Sequence, residues 1–132
     1  MKFNNIQSQI IERCNGILTN ENEFIRLINS KNNYDFWKII NSNIWYILKH
    51  KIITDESYLY VKDEVISDEC FMYMYCLYIN DREELYTSIT HDYYKYLYCR
   101  DVCDRYELYS KITNWDYKYL YCRDVYDRYE LN

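Results

Sequence analysis

His50 and His91 are the only histidines in the chain of 132 residues, so any mechanism that moves a proton through an imidazole must use one of them. His50 stands between Lys49 and Lys51, in a basic helix end where a solvent-facing ring is expected. His91 and Asp92 form the dipeptide found in metal-dependent phosphohydrolases, whose chemistry needs further histidines and aspartates around the cation. Cys99 and Cys103 lie one helical turn apart and two turns after His91, a spacing that permits zinc without specifying it. With no CxxC pair to mark a site, Cys14, Cys70, Cys76, Cys99, Cys103 and Cys122 are expected to pack as small hydrophobes, and neither metal nor cofactor is expected. The enzymatic reading that remains is a small enzyme using His91 with Asp92 or a cysteine.

The rest of the composition removes whole classes of enzyme. Gly16 is the one glycine, and there is no proline, so a phosphate-cradling loop, a dinucleotide fingerprint and a nucleophile elbow are all absent. A non-enzymatic protein is therefore favoured. Aromatics reach 20%, as base-stacking proteins require, but the sequence pI of about 5.0 lacks the basic groove that goes with them, so nucleic-acid binding is not expected. Charge is divided unevenly: residues 1–53 carry +3 and residues 54–132 carry −8, which favours attraction between the halves or between protomers. The amino terminus has no continuous apolar stretch, and the longest apolar run, Phe71 to Ile79, is about half of the roughly 20 residues a membrane span needs. A cytoplasmic protein with reduced thiols follows.

The elements that position these residues read as helices. Phe3, Ile6, Ile10, Cys14 and Ile17 recur at helical spacing and predict a helix over 3–18, with Gly16 near its end. Asn20 followed by Glu23 opens a second helix over 21–30, and Phe36, Trp37, Ile40, Ile44, Ile47 and Leu48 predict one continuous helix across residues 35–51. Thr54–Asp55–Glu56 and Ser67–Asp68–Glu69 each read as a cap with an acidic first turn, and Asn80 or Asp81 with Glu84 opens a short helix through Leu85 and Ile89. The expected fold is all-α, a compact bundle of about six to eight short helices. The alternative is α+β, because the aromatic runs at 57–61 and 70–79 also suit buried strands.

Residues from Lys95 read KYLYCRDVCDRYEL, and residues from Lys118 read KYLYCRDVYDRYEL, an offset of 23 with Cys103 against Tyr126 as the single difference over fourteen positions. Read as one helix, each copy sets Arg100 against Asp104 and Asp101 against Arg105, exposed pairs worth about 0.3–0.5 kcal/mol each. A break at Thr113 and Asn114, with Asn114 as N-cap, resets the second copy. Residues 1–113 are thus expected to form a helical domain, with 114–132 packed on it or on a second protomer.

Nineteen tyrosines cannot all enter one core, and more than half lie in the duplicated region. Tyrosine and tryptophan offer a broad apolar face with a polar tip, so Tyr94, Tyr98, Trp115, Tyr117 and Tyr121 are the candidate interaction surface. Asn, Ile, Tyr and Lys use AT-rich codons, and together with the missing alanine and proline they point to an AT-rich genome. In size, composition and expected compartment the chain resembles the short intracellular immunomodulators of poxviruses, several of which adopt the Bcl-2 fold. Asn114–Trp115 matches the Asn-Trp that opens the Bcl-2 groove motif, which continues Gly-Arg where this chain has Asp116–Tyr117. The resemblance implies a protein that binds a host-defence or apoptosis partner. A homo-oligomer assembled through the carboxyl helices is the structural alternative.

Overall fold

Short polar side chains start five of the helices by accepting a hydrogen bond from the first free amides. In the computed structural model, which describes residues 4–18, 20–66 and 68–128, Asn4 and Gln7 form a reciprocal capping box ahead of α1 (Asn5–Cys14). Asn20 caps α2 (Glu21–Ile28), Asn32 caps α3 (Asn33–Ser42), and α4 (Ile44–Lys49) follows at once. A 3₁₀ turn (Asp55–Ser57) leads into α5 (Tyr58–Val65), and Asp68 caps α6 (Glu69–Tyr78). The carboxyl half continues with α7 (Glu83–Tyr86), α8 (Asp92–Asp101), α9 (Tyr106–Tyr109) and α10 (Trp115–Asp124), the last capped by Asn114 as expected.

The fold is all-helical among the described residues, and the two segments that also suited strands are α5 and α6. Helices are shorter and more numerous than the apolar spacing suggests. The helix across 35–51 is divided at Asn43, whose side-chain amide donates to the Ile39 carbonyl at 2.9 Å and competes with the backbone ladder. The first helix stops at Cys14, and Gly16 then takes φ +80, a left-handed backbone that glycine adopts without penalty. Asp81 does not cap α7; Arg82 occupies that position without a side-chain bond, and Asp81 is used elsewhere.

In the amino-terminal half the core is mainly aliphatic, with Leu27, Ile47, Leu48, Ile53 and Val61 fully buried beside Phe36. Each such side chain contributes roughly 1.5–3 kcal/mol. In the carboxyl half the largest fully buried side chains are Tyr75, Tyr98 and Tyr121, spaced 23 residues apart. That spacing exposes a third, older copy of the repeat. Residues 69–91 share with 92–114 the residues Tyr73/Tyr96, Tyr75/Tyr98, Cys76/Cys99, Asp81/Asp104, Arg82/Arg105, Leu85/Leu108, Tyr86/Tyr109, Ile89/Ile112 and Thr90/Thr113. Each of these two units is a ten-residue helix, a tight loop and a one-turn helix, and α10 begins the third.

The units are latched to one another through the buried tyrosines. The Tyr98 hydroxyl donates to Asp81 at 2.6 Å and accepts from Arg105 Nε at 2.7 Å, while Arg105 Nη2 reaches Asp81 at 2.8 Å. One unit on, Tyr121 donates to Asp104 at 2.5 Å, and Arg128 reaches Tyr121 and Asp104. One unit back, Tyr75 donates to Asp55 at 2.6 Å and Arg82 forks onto the same carboxylate at 2.7 and 3.0 Å, so α6 is tied to the 3₁₀ turn. Arginine faces cover the neighbouring rings: Arg82 lies 3.8 Å over Tyr58 and Arg105 lies 4.2 Å over Tyr86. A second set crosses the same interfaces, Tyr73 donating to Asp101 and Tyr96 to Asp124.

These latches replace the exposed charge ladder expected along one continuous helix. Because each copy breaks after α8 or α10, Arg105 pairs with Asp81 rather than Asp101, and Arg128 pairs with Asp104; Arg100 and Arg123 turn to the adjacent Asp101 and Asp124. Asp104, Arg105 and Arg128 of the expected solvated face are thus inter-unit ties, while Arg100 and Arg123 stay at the surface.

Candidate interaction surface

Successive units meet at a loop edge where the chain enters α8 and α10. The first residue of a unit clamps the end of that same unit. Glu69 accepts from the Thr90 backbone amide, from the Thr90 hydroxyl at 2.6 Å and from the His91 amide at 3.2 Å. Asp92 repeats this with Thr113 N at 3.2 Å, Thr113 Oγ1 at 3.3 Å and Asn114 N at 2.9 Å. Burial pushes both carboxyls up, but these donors outweigh it and hold each below the ordinary carboxylate range; the Lys95 ammonium adds to the effect at Asp92. In the third unit the clamp position is Trp115.

Between the clamps the edge carries two adjoining open grooves. The first, of 590 Å³, is lined by Asp68, Glu69, Thr90, His91, Tyr93 and Tyr94. The second, of 380 Å³, shares Thr90, His91 and Tyr93 with it and adds Asp92, Thr113, Asn114 and Tyr117. His91, Asp92, Thr113, Asn114 and Tyr117 stand 23 residues after Asp68, Glu69, Thr90, His91 and Tyr94, so the same groove is built twice. Tyr93 packs on Tyr94 at 5.3 Å and on Tyr117 at 5.7 Å, forming an aromatic ridge between them.

The five candidate residues divide on this frame. Tyr94 and Tyr117 are half-buried groove walls, and Trp115 is 69% exposed with the Lys118 ammonium 4.8 Å over its ring. Tyr98 and Tyr121 are interior: both are fully buried, with their hydroxyls committed to the latches. Tyr94 and Tyr98, like Tyr117 and Tyr121, stand four apart on one helix face, and the difference arises along that face: the first of each pair lies at the loop edge and the second where the preceding unit covers it. Tyr93, 44% exposed, belongs to the surface and was not among the five. Its signal was the doublet Tyr93–Tyr94 directly after the His91–Asp92 cap.

His91 lines both grooves, is 76% exposed, and has its Nε2 3.9 Å from Glu69. The Asp92 carboxylate is occupied by Thr113, Asn114 and Lys95. The cysteines are all free thiols. Cys14, Cys76 and Cys99 are buried, and burial pushes their thiols up to about 12, about 12 and about 11, which suppresses the thiolate form. Cys70 and Cys122 are half-buried and Cys103 is exposed, so packing as small hydrophobes describes only part of the set. His50 is exposed and lies flat against Tyr46 at 6.2 Å. Among the described residues, no group of three or more His, Cys, Asp or Glu lies close enough to hold a metal ion, and no helix is long and apolar enough to cross a membrane.

A further open groove, of 640 Å³, lies in the amino-terminal half between α3 and α5, lined by Asn33, Tyr34, Trp37, Lys38, Asn41, Ser42 and Glu64. It is not repeated. Compared with protein-family models, curated proteins and solved structures, the chain matches none, so the likeness to the poxvirus immunomodulators remains one of size and composition.

Proposed function

We propose that the protein is a non-enzymatic interaction module that holds a segment of a protein partner along the loop edge of its carboxyl array. The observation that carries this reading is the doubled groove: two concave sites in 23-residue register, walled by tyrosine and rimmed by threonine, asparagine and histidine hydrogen-bonding groups. Rigid aromatic walls lose little side-chain freedom on binding and supply most of the contact energy at interface hot spots. The −8 charge of residues 54–132 favours a basic partner segment, by raising its encounter rate more than its final affinity. The AT-rich composition supports the further reading of a viral or mobile-element factor that occupies a host-defence protein in the cytoplasm.

Selection of peptides from a displayed random library on the full chain, followed by affinity measurement against variants, tests the surface. Tyr94→Ala, Tyr117→Ala and Trp115→Ala are each expected to weaken the selected peptides about tenfold or more. Tyr34→Ala, in the amino-terminal groove, is expected to leave them unchanged. Equal affinity for wild type and all three edge variants overturns the proposal.

A further inference from the structure

The third unit nearly repeats the second in sequence. Here residues 118–131 repeat residues 95–108 with one change, so α10 turns outward the same residues that α8 turns toward α10. The consequence is visible position by position. Tyr96 is 4% exposed and donates to Asp124, while its counterpart Tyr119 is 65% exposed. Leu97 and Cys99 are buried, while Leu120 and Cys122 are only partly covered.

The outward stripe of α10 is also complementary to itself. Asp116, Tyr119 and Arg123 follow at i, i+3 and i+7, which places them on one face, and all three are exposed. Two such helices laid antiparallel about a two-fold axis at Tyr119 bring Asp116 of each chain opposite Arg123 of the other, with the two tyrosine rings between the charge pairs. A two-fold interface requires this reciprocity. Arg123 now spends its guanidinium on the adjacent Asp124 at 2.7 and 2.9 Å, and the fork leaves Nη1 for a second carboxylate.

We infer that α10 pairs two copies of this chain through the Asp116–Tyr119–Arg123 stripe. One ten-residue helix per protomer covers less area than the roughly 800 Å² per partner of a standard interface, so the dimer forms at micromolar rather than nanomolar concentration. The inference is independent of the loop-edge grooves, and its readout is molecular mass rather than peptide affinity.

Sedimentation equilibrium of the full chain from about 1 to about 300 μM tests it. Wild type is expected to approach twice the monomer mass at the upper end. Arg123→Asp and Asp116→Arg are each expected to remain monomeric there, and the double variant Asp116→Arg/Arg123→Asp to regain the dimer, because the swapped charges again face each other. Arg123→Gln, whose fold is checked by circular dichroism, serves if either reversal impairs folding, and it is expected to shift the midpoint at least fivefold upward. Monomeric wild type throughout, or a dimer indifferent to both single reversals and to Arg123→Gln, overturns the inference.

Discussion

Tyr98→Ala is expected to destabilise the protein by about 3–5 kcal/mol, the cost typical of emptying a large aromatic site in a packed core. Tyr98 is fully buried, its ring packs against Tyr86 at 5.3 Å, and its hydroxyl joins Asp81 and Arg105. The substitution therefore leaves a cavity and removes a donor from a partly buried carboxylate. The comparison that gives the value meaning is Tyr119→Ala, which deletes the same residue type from the same KYLYCRDV sequence. At 65% exposure Tyr119 is expected to change stability by no more than about 0.5 kcal/mol at concentrations where the chain is monomeric. Urea unfolding of both variants decides the matter. Similar losses at the two positions would mean that the array packs in another register.

Raising the pH above about 10 is expected to unfold the protein cooperatively. Burial pushes the phenols of Tyr75, Tyr98 and Tyr121 well above the usual tyrosine range, and donation to Asp55, Asp81 and Asp104 adds to this. A phenol raised in the folded state keeps its proton where the unfolded chain has lost it, so the native state binds more protons. Stability from these groups is fully present below the unfolded value near 10 and is lost as pH rises toward the folded one. Three such groups remove about 4 kcal/mol per pH unit, against a total stability of about 5–15 kcal/mol. The buried thiols of Cys14, Cys76 and Cys99 act in the same direction from about pH 9. The loss of helicity by circular dichroism and the last part of the phenolate absorbance, that of the buried rings, are expected to change together in one transition between about pH 11 and 12. Complete phenolate absorbance with helicity retained would show that Tyr75, Tyr98 and Tyr121 are not held in the interior.

At acid pH the sign reverses. Asp55 is held below the ordinary range chiefly by Arg82, Asp101 chiefly by Arg100, and Glu69 and Asp92 by their amide donors, so their contribution is present above pH about 4 and fades as pH falls through the lowered values. The acid loss is the smaller, since these groups are less buried than the three phenols.

Local chemistry in the sequence located some of the helix starts. Asn20 and Asn114 cap where expected, and the reset before Trp115 follows from that rule; Asp68 takes the cap expected one residue earlier at Ser67, which lies outside the described residues, and Thr54 makes no side-chain cap bond. The breaks after Val102 and Val125 had no such mark, since neither glycine nor proline stands there. They are set from outside, because Arg105 and Arg128 are drawn back to aspartates 24 residues earlier, contacts that no helical periodicity contains. The repeat is faint in residues 69–91 for a related reason. Residues 69–91 kept the positions that make the latch, Tyr75, Asp81 and Arg82, while the more numerous positions around them diverged. Of the candidate surface, Tyr94, Trp115 and Tyr117 were legible as exposed or half-exposed aromatics. Tyr98 and Tyr121 were not separable from them, since only the inter-unit contacts make those two interior.

A double-mutant cycle between Tyr98 and Asp81 tests most directly whether the carboxyl half is held by latches across its 23-residue period. Stabilities of wild type, Tyr98→Phe, Asp81→Asn and the double variant are expected to give a coupling of about 1–3 kcal/mol, the range for a buried hydrogen bond to a charged group. The parallel cycle with Asp101→Asn and Arg105→Gln, the pair that a continuous helix would join, is expected to be additive within about 0.3–0.5 kcal/mol. Additivity at Tyr98 and Asp81 together with coupling at Asp101 and Arg105 would contradict the latched array.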